Sequence, residues 1–336
     1  MVANSSEAWR YFDPHFLLPV LDFLEDHNIG SRDEIAKARI KAVSSTFMVD
    51  HLQSLCEEAK VPVPEGLEAK KAEVMAEYEC KQKPLAPLLS MIEENGVDVI
   101  KSMTLADLCF KHDLPADILD TLFEYARLSY QVGDYSKSTE LLQIYRTLTS
   151  WSETSSIPTE RQLRAMWGSA ASFIVQTDYD RSIEMLIKLI EFFDNSTLPK
   201  DKFSYGASLL WLLHWSLFAA FKAEKFPTQI IPLLLRDKFL NIISISAPYL
   251  WKYVAAMIIL SDDETLQNRS FVEMHSTNDP ICSFLSKLYQ SVDIEAAEKI
   301  IPTFKYDDDF FLVTHSDELR TKAEALVKAI KLRVYM

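Results

Sequence analysis

The stretch DILDTLFEYARLSYQVGDYSKSTELLQIYRTL, Asp117 to Leu148, decides the fold. Leu119, Leu122, Phe123, Ala126 and Tyr130 recur at three- and four-residue spacing, so they share one face of a helix. Gly133-Asp134 makes a turn, and Tyr135 to Leu148 forms a second helix with Thr139, Leu142, Tyr145 and Leu148 inward. The unit then returns: Met166 to Gln176 is the first helix, Thr177-Asp178 the turn, and Tyr179 to Phe193 the second helix. The two copies superpose without gaps. Tyr130 falls on Ile174, Asp134 on Asp178, Tyr135 on Tyr179, Leu142 on Leu186, Tyr145 on Leu189 and Leu148 on Phe192. A weaker echo is Tyr289-Gln290-Ser291-Val292-Asp293, with Ala296 and Ala297 opening the helix after it. The period of about 44 residues is that of stacked helical pairs. A single pair cannot bury its apolar face, so neighbours must stack into a solenoid.

Working outward, the flanks also read as helices. Asp13-Pro14 is a helix start, Asp as N-cap and Pro at the first helical position. The stripe Phe16, Leu17, Val20, Leu21, Leu24 continues past Pro19, which should bend the helix without ending it; Asn28 and Gly30 stop it. Ser31 with Glu34 has capping-box spacing and predicts a second helix towards Ser44. A third covers Met48 to Lys60, and Val61-Pro62-Val63-Pro64 is a break. Glu65 to Tyr78 reads as a charged, solvated helix, with Pro84 and Pro87 punctuating the stretch after it.

Downstream of the quoted stretch, Trp151 to Pro158 is predicted to be loop, and Thr159 with Gln162 restarts a helix by the capping-box rule. A further break is expected near Asn195 to Lys202. Beyond it come an apolar helix at Ala207 to Phe221, breaks at Pro227, Pro232 and Pro248, and a polar loop near Ser261 to Asn268. Ile242 to Ile245 is β-branched enough to be ambiguous. These readings divide the chain into N-terminal helical hairpins (1–87), a helical-repeat solenoid (88–200), a helical subdomain (201–316) and a C-terminal helix (317–336).

Composition excludes several function classes. There are 35 basic and 49 acidic residues, a net of −14, and no run of Lys and Arg. Phosphate contact needs a basic face, so direct sequence-specific nucleic-acid binding is not expected, nor is an anionic membrane surface. Only 6 glycines occur, which disfavours β folds and phosphate-cradling loops. Ala207 to Phe221 falls short of the ~20 residues that a membrane span needs. The N-terminus lacks the basic segment and apolar run of a signal peptide, so a cytoplasmic location is expected. Cys56, Cys80, Cys109 and Cys282 are far apart, without a C-x-x-C pair, and read as reduced core thiols.

Little in the sequence points to catalytic chemistry. No two of the seven histidines stand at the i, i+4 spacing of a helical metal site. His214, between Trp211 and Trp215, reads as a core histidine with one satisfied hydrogen bond. Asp307-Asp308-Asp309 lacks the alternation and central glycine of a calcium loop, so these acids should complement a helix N-terminus instead. Lys111-His112-Asp113 has no nucleophile motif beside it. Tyr135 and Tyr179 occupy equivalent repeat positions and are expected to pack. No catalytic, cofactor-binding or metal-ligating residue is assigned, and the chain is read as a non-enzyme without cofactor.

Particular phrases resemble a known family. They are His15 to Leu24 (HFLLPVLDFL), Phe47 to Asp50, Leu119 to Ala126, Trp211 to Phe218, Asp279-Pro280-Ile281 and Asp309 to Val313. These are similar to the e subunits of eukaryotic translation initiation factor three, and the likeness covers roughly residues 10 to 315. That family belongs to the PCI class shared with the proteasome lid and the signalosome. The resemblance implies an all-α fold: a helical-repeat (TPR-like) α-solenoid leading into the helical part of a PCI domain. After about Ser316 the sequence departs from the pattern and the winged helix is expected to be missing, as in a fragment, a truncated chain or a divergent product. The implied role is a non-catalytic scaffold supporting small ribosomal subunit binding and mRNA recruitment. Implied partners are subunits c, d and l of the factor, and the small subunit through the complex. The alternatives are a PCI subunit of a proteasome-lid or signalosome assembly, or a peptide-binding helical-repeat adaptor.

Overall fold

The computed structural model describes residues 9–96, 100, 109–110, 114–115, 117–149, 159–195, 202–261 and 279–335. Among these the secondary structure is α-helix with short 3-10 turns and one π turn, and no strand occurs. The fold is the all-α helical solenoid that the sequence predicts. Two compact units form: Asp13–Met185, and Leu186–Met336 with the residues up to Phe12.

The first unit opens with α1 (Pro14–Asp26), where the Asp13 carboxylate accepts from the His15 N–H at 3.0 Å. Pro19 lies inside α1 without ending it. Next come α2 (Arg32–Ser44) and α3 (Val49–Glu58). The capping box expected at Ser31 does not form, because the Ser31 side chain makes no capping bond. Asp33 and Glu34 in the first turn supply negative charge to the positive helix end instead.

Helix α4 (Leu67–Asn95) corrects a second expectation, since it runs straight through Pro84 and Pro87 and places residue 87 inside a helix. Both prolines are exposed, whereas Leu85, Leu88, Leu89 and Ile92 are buried. The carbonyls that lose their partners, those of Cys80 and Lys83, belong to exposed residues and can turn to water. The apolar stripe therefore holds the helix together across a defect confined to its wet side.

The repeats follow as α5 (Ile118–Val132) with α6 (Tyr135–Leu148), and α7 (Glu160–Val175) with α8 (Tyr179–Asn195). Their corners are copies of one another. Gly133, at φ +92°, donates to the Tyr130 carbonyl at 3.0 Å, and Asp134 N–H to Ser129 at 2.9 Å. Thr177, at φ +61°, donates to Ile174 at 3.0 Å, and Asp178 N–H to Phe173 at 2.9 Å. This is a Schellman closure. Asn28 and Lys60 end α1 and α3 with the same pair of bonds, at φ +55° and +54°. One backbone device thus ends four of the described helices.

Leu142, Tyr145, Leu186 and Leu189 are buried as the repeat register requires, while Thr139 and Phe192 are only half-buried. Ser138 and Ser182, which the stripe reading overlooks, are fully buried at matched positions. Small side chains there let the helices approach closely. Gly168 serves the same end, for a Cβ on it would stand 3.2 Å from Leu142 Cδ1. The capping box at Thr159 and Gln162 forms with both of its bonds.

The second unit is built around α9 (Lys202–Lys222), buried along most of its length from Leu209 to Phe221. No described helix is long and apolar enough to cross a membrane. Pro227 and Pro248 introduce 3-10 turns, but Pro232 sits in the first turn of α10 (Ile231–Leu234) and breaks nothing. The ambiguous Ile242–Ile245 lies within α11 (Asp237–Ser246). Then come α12 (Trp251–Leu260), α13 (Pro280–Leu285), α14 (Ile294–Ile300) and α15 (Ser316–Tyr335).

The weak third echo proves structural. Val292 has φ +52° and the Asp293 carboxylate caps α14 by accepting from Ala296 N–H at 3.0 Å. The closing bond reaches back to Lys287, one residue further than in the repeats, because a π turn occupies Ser286–Gln290. The Trp151–Pro158 loop, positions 196–201 of the expected break and the polar loop after Ser261 lie outside the described residues. Cys56 and Cys282 are buried thiols as expected; Cys80 is exposed on α4 and Cys109 half-buried, and none of the four is bridged.

Candidate interaction site

A polar constellation in the first unit ties its first helix to its first repeat. Tyr130 Oη donates to Asp13 Oδ1 at 2.9 Å, so one carboxylate caps α1 and anchors the end of α5. His15 Nδ1 lies 2.8 Å from Tyr135 Oη, which in turn lies 3.8 Å from Met48 Sδ. His15 Nε2 is buried without a partner. A buried unpaired N–H costs more than a buried lone pair, so the proton belongs on Nδ1. The relay then runs from His15 N–H to Tyr135 O–H to Met48 sulfur. Beside it the Phe47 N–H donates to the Gln131 carbonyl at 3.0 Å.

Burial governs the electrostatics of this cluster. It pushes the Asp13 carboxyl up, against the opposing pull of His15 and two hydrogen bonds. It pushes the His15 imidazole down, and Tyr135 up to about 12, with the Asp13 charge adding to the latter. These groups sit behind packed rings. They set the register between helices.

His214 of the second unit is likewise a core residue, with two hydrogen bonds where the sequence suggested one. Its Nδ1 must donate to the Leu210 carbonyl at 2.6 Å, and its Nε2 accepts from Tyr249 Oη at 2.8 Å. Burial holds the imidazole at a pKa of about 4. Tyr11 stacks on it at 4.7 Å, and Trp215 Nε1 donates to the Tyr11 carbonyl at 3.2 Å. A neutral imidazole enclosed by rings positions neighbours and offers no open face for a substrate.

Asp309 caps the turn Phe310–Leu312 and not the helix N-terminus that the acidic run predicts. Its Oδ1 accepts from the N–H groups of Phe311 and Leu312, both at 3.1 Å. The same carboxylate pairs with Lys252 and accepts from Tyr253 Oη at 3.1 Å. Lys111-His112-Asp113 lies outside the described residues. Among the described residues no three His, Cys, Asp or Glu side chains converge on a point that could hold a metal. The Asp13–Tyr130 and His15–Tyr135 links are the contacts that sequence reasoning missed. The one local signal was a histidine two residues after a capping aspartate.

What the molecule presents outward is charge and helix surface. Of its 49 acidic residues 29 lie in Asp13–Met185, against 17 of its 35 basic residues, so the first unit carries most of the negative excess. A net negative charge is unfavourable for phosphate contact.

A family model described as the N-terminal domain of eIF3 subunit 6 matches residues 5–129. The chain is 30% identical over 298 residues to the E subunit of eukaryotic translation initiation factor 3 from Arabidopsis thaliana, covering 85% of this chain and 66% of that protein. It is 27% identical to the E subunit from Brugia malayi, over 97% of this chain and 75% of the relative. For Caenorhabditis elegans the figures are 25% identity, 97% and 77%. The chain thus spans between 66% and 77% of the length of these three relatives.

Proposed function

Because the chain belongs to the family of E subunits of eukaryotic translation initiation factor 3, we propose that it is a non-catalytic scaffold component of that factor, supporting small ribosomal subunit binding and mRNA recruitment. The observation that carries this reading is the likeness to the E subunit along 85% of the chain, on a fold whose polar clusters tie helices together. Its expected partners are subunits c, d and l, and its place is the cytoplasm. No cofactor is expected.

The reading as a peptide-binding adaptor has less support. Capture of a peptide tail calls for Asn, Lys and Arg at repeated inner positions, and the matched inner positions are Leu142 with Leu186 and Tyr145 with Leu189. The test is sedimentation of tagged chain from a eukaryotic extract in a sucrose gradient. The chain should travel with free small ribosomal subunits and leave that fraction when the factor is depleted. A chain that stays at the top of the gradient in intact extract overturns the proposal.

A further inference from the structure

We propose that the segment Val61–Glu79, the outer face of α4 with the loop leading into it, docks a basic amphipathic helical segment of a partner protein. Three large apolar side chains stand in solvent within this short span. Val61 is 40% exposed, Val63 39% and Met75 54%. Exposed apolar side chains scattered singly are ordinary, but a concentration within one short segment marks an interaction surface. Helix α4 buries Leu67, Val74 and Leu85 on one side. Its opposite side presents Ala69, Ala72 and Ala76 beside Met75, a shallow apolar track against which another helix can lie.

The charge around the track states what the visitor must carry. Glu58, Glu65, Glu73, Glu77 and Glu79 are exposed and form no ion pair among the described residues. The two cations inside the span are committed elsewhere: Lys70 donates to the Thr46 carbonyl at 3.0 Å, and Lys71 pairs with Asp50 at 2.6 Å. An apolar strip edged by free carboxylates is complementary to a helix with apolar anchors flanked by Lys and Arg. The same edge repels acidic partners and phosphate.

This inference goes beyond membership of the factor, since it concerns the chemistry of a partner, and its test uses none of the factor's other subunits. The full chain is titrated with a fluorescent helical peptide of about 18 residues built from Leu and Lys in amphipathic order, and with its Leu and Glu counterpart. The Leu/Lys peptide should bind and slow hydrogen exchange within 61–79, and the Leu/Glu peptide should not bind. Met75→Asp, at an exposed position, should weaken binding about tenfold with an unchanged circular dichroism spectrum. Glu73→Lys with Glu77→Lys should weaken it as well and flatten its dependence on salt. Protection elsewhere in the chain, or full affinity in Met75→Asp, overturns the proposal. Loss of binding in the glutamate variant alone also overturns it, because that pattern describes unspecific attraction to an acidic protein.

Discussion

Gly133 and Thr177 sit one repeat apart and turn the chain through the same left-handed corner, at φ +92° and +61°. Glycine enters that region freely, whereas a residue with a Cβ is strained there by about 1–2 kcal/mol. Thr177→Gly should therefore stabilise the protein by about 1 kcal/mol, and Gly133→Ala should destabilise it by a similar amount. The new Cβ at 133 would meet only the flexible end of Met48, so the backbone effect decides the sign. Urea midpoints measure both. Equal midpoints in all three proteins would show that the left-handed corner imposes no strain at either position.

Leu142 and Leu186 fill matched inner positions and are almost wholly buried. Truncating either to Ala should cost about 2–5 kcal/mol. Lys137 stands on the outer side of the same helix as Leu142, paired with Glu140 at 3.1 Å across a half-exposed surface. Lys137→Ala should cost about 0.5 kcal/mol or less. Equal losses from the leucine and lysine variants would mean that the repeat register is misplaced.

The buried His214 makes stability depend on pH. Its folded pKa of about 4 lies below the ordinary 6.5. Between those values the unfolded chain takes up a proton that the folded chain refuses, so stability is complete above pH 6.5 and falls as pH drops to 4. The loss is about 3 kcal/mol. His15, also lowered by burial, acts in the same direction, while the raised Asp13 carboxyl acts oppositely near its own titration. His214→Gln isolates the effect: its denaturation free energy should fall less steeply over this interval than that of the parent. Identical slopes would place the imidazole in contact with solvent.

Asp309 holds two backbone N–H groups, Lys252 and Tyr253 with one carboxylate. Asp309→Ala leaves the half-buried Lys252 ammonium and several donors unmatched, and should cost about 1.5–3 kcal/mol. Thermal unfolding measures this. A loss below about 1 kcal/mol would mean that water replaces the carboxylate.

The fold was legible in the sequence wherever the signal was local. Apolar spacing gave α5 to α8, and the Gly133-Asp134 and Thr177-Asp178 corners emerged from the repeat alone. The misreadings have local causes too. Pro84 and Pro87 look like stops because their lost hydrogen bonds are evident from residue type, whereas the buried stripe that outweighs them is set by tertiary packing. Ser31 and Glu34 have the spacing of a capping box, but spacing does not dictate a rotamer. The Asp13–Tyr130 bond joins residues 117 positions apart, and no window of sequence contains both. The acidic excess was evident from composition, while the exposure of Val61 and Val63 in the loop before α4 and of Met75 on α4 required the structure.

Membership of a multi-subunit factor is tested most directly by native mass spectrometry of the purified chain mixed with purified subunits c, d and l. The expected result is a stable species containing one copy of this chain, heavier than the partner or partners by its 38.6 kDa. The chain remaining at 38.6 kDa in the presence of all three subunits would contradict the assignment.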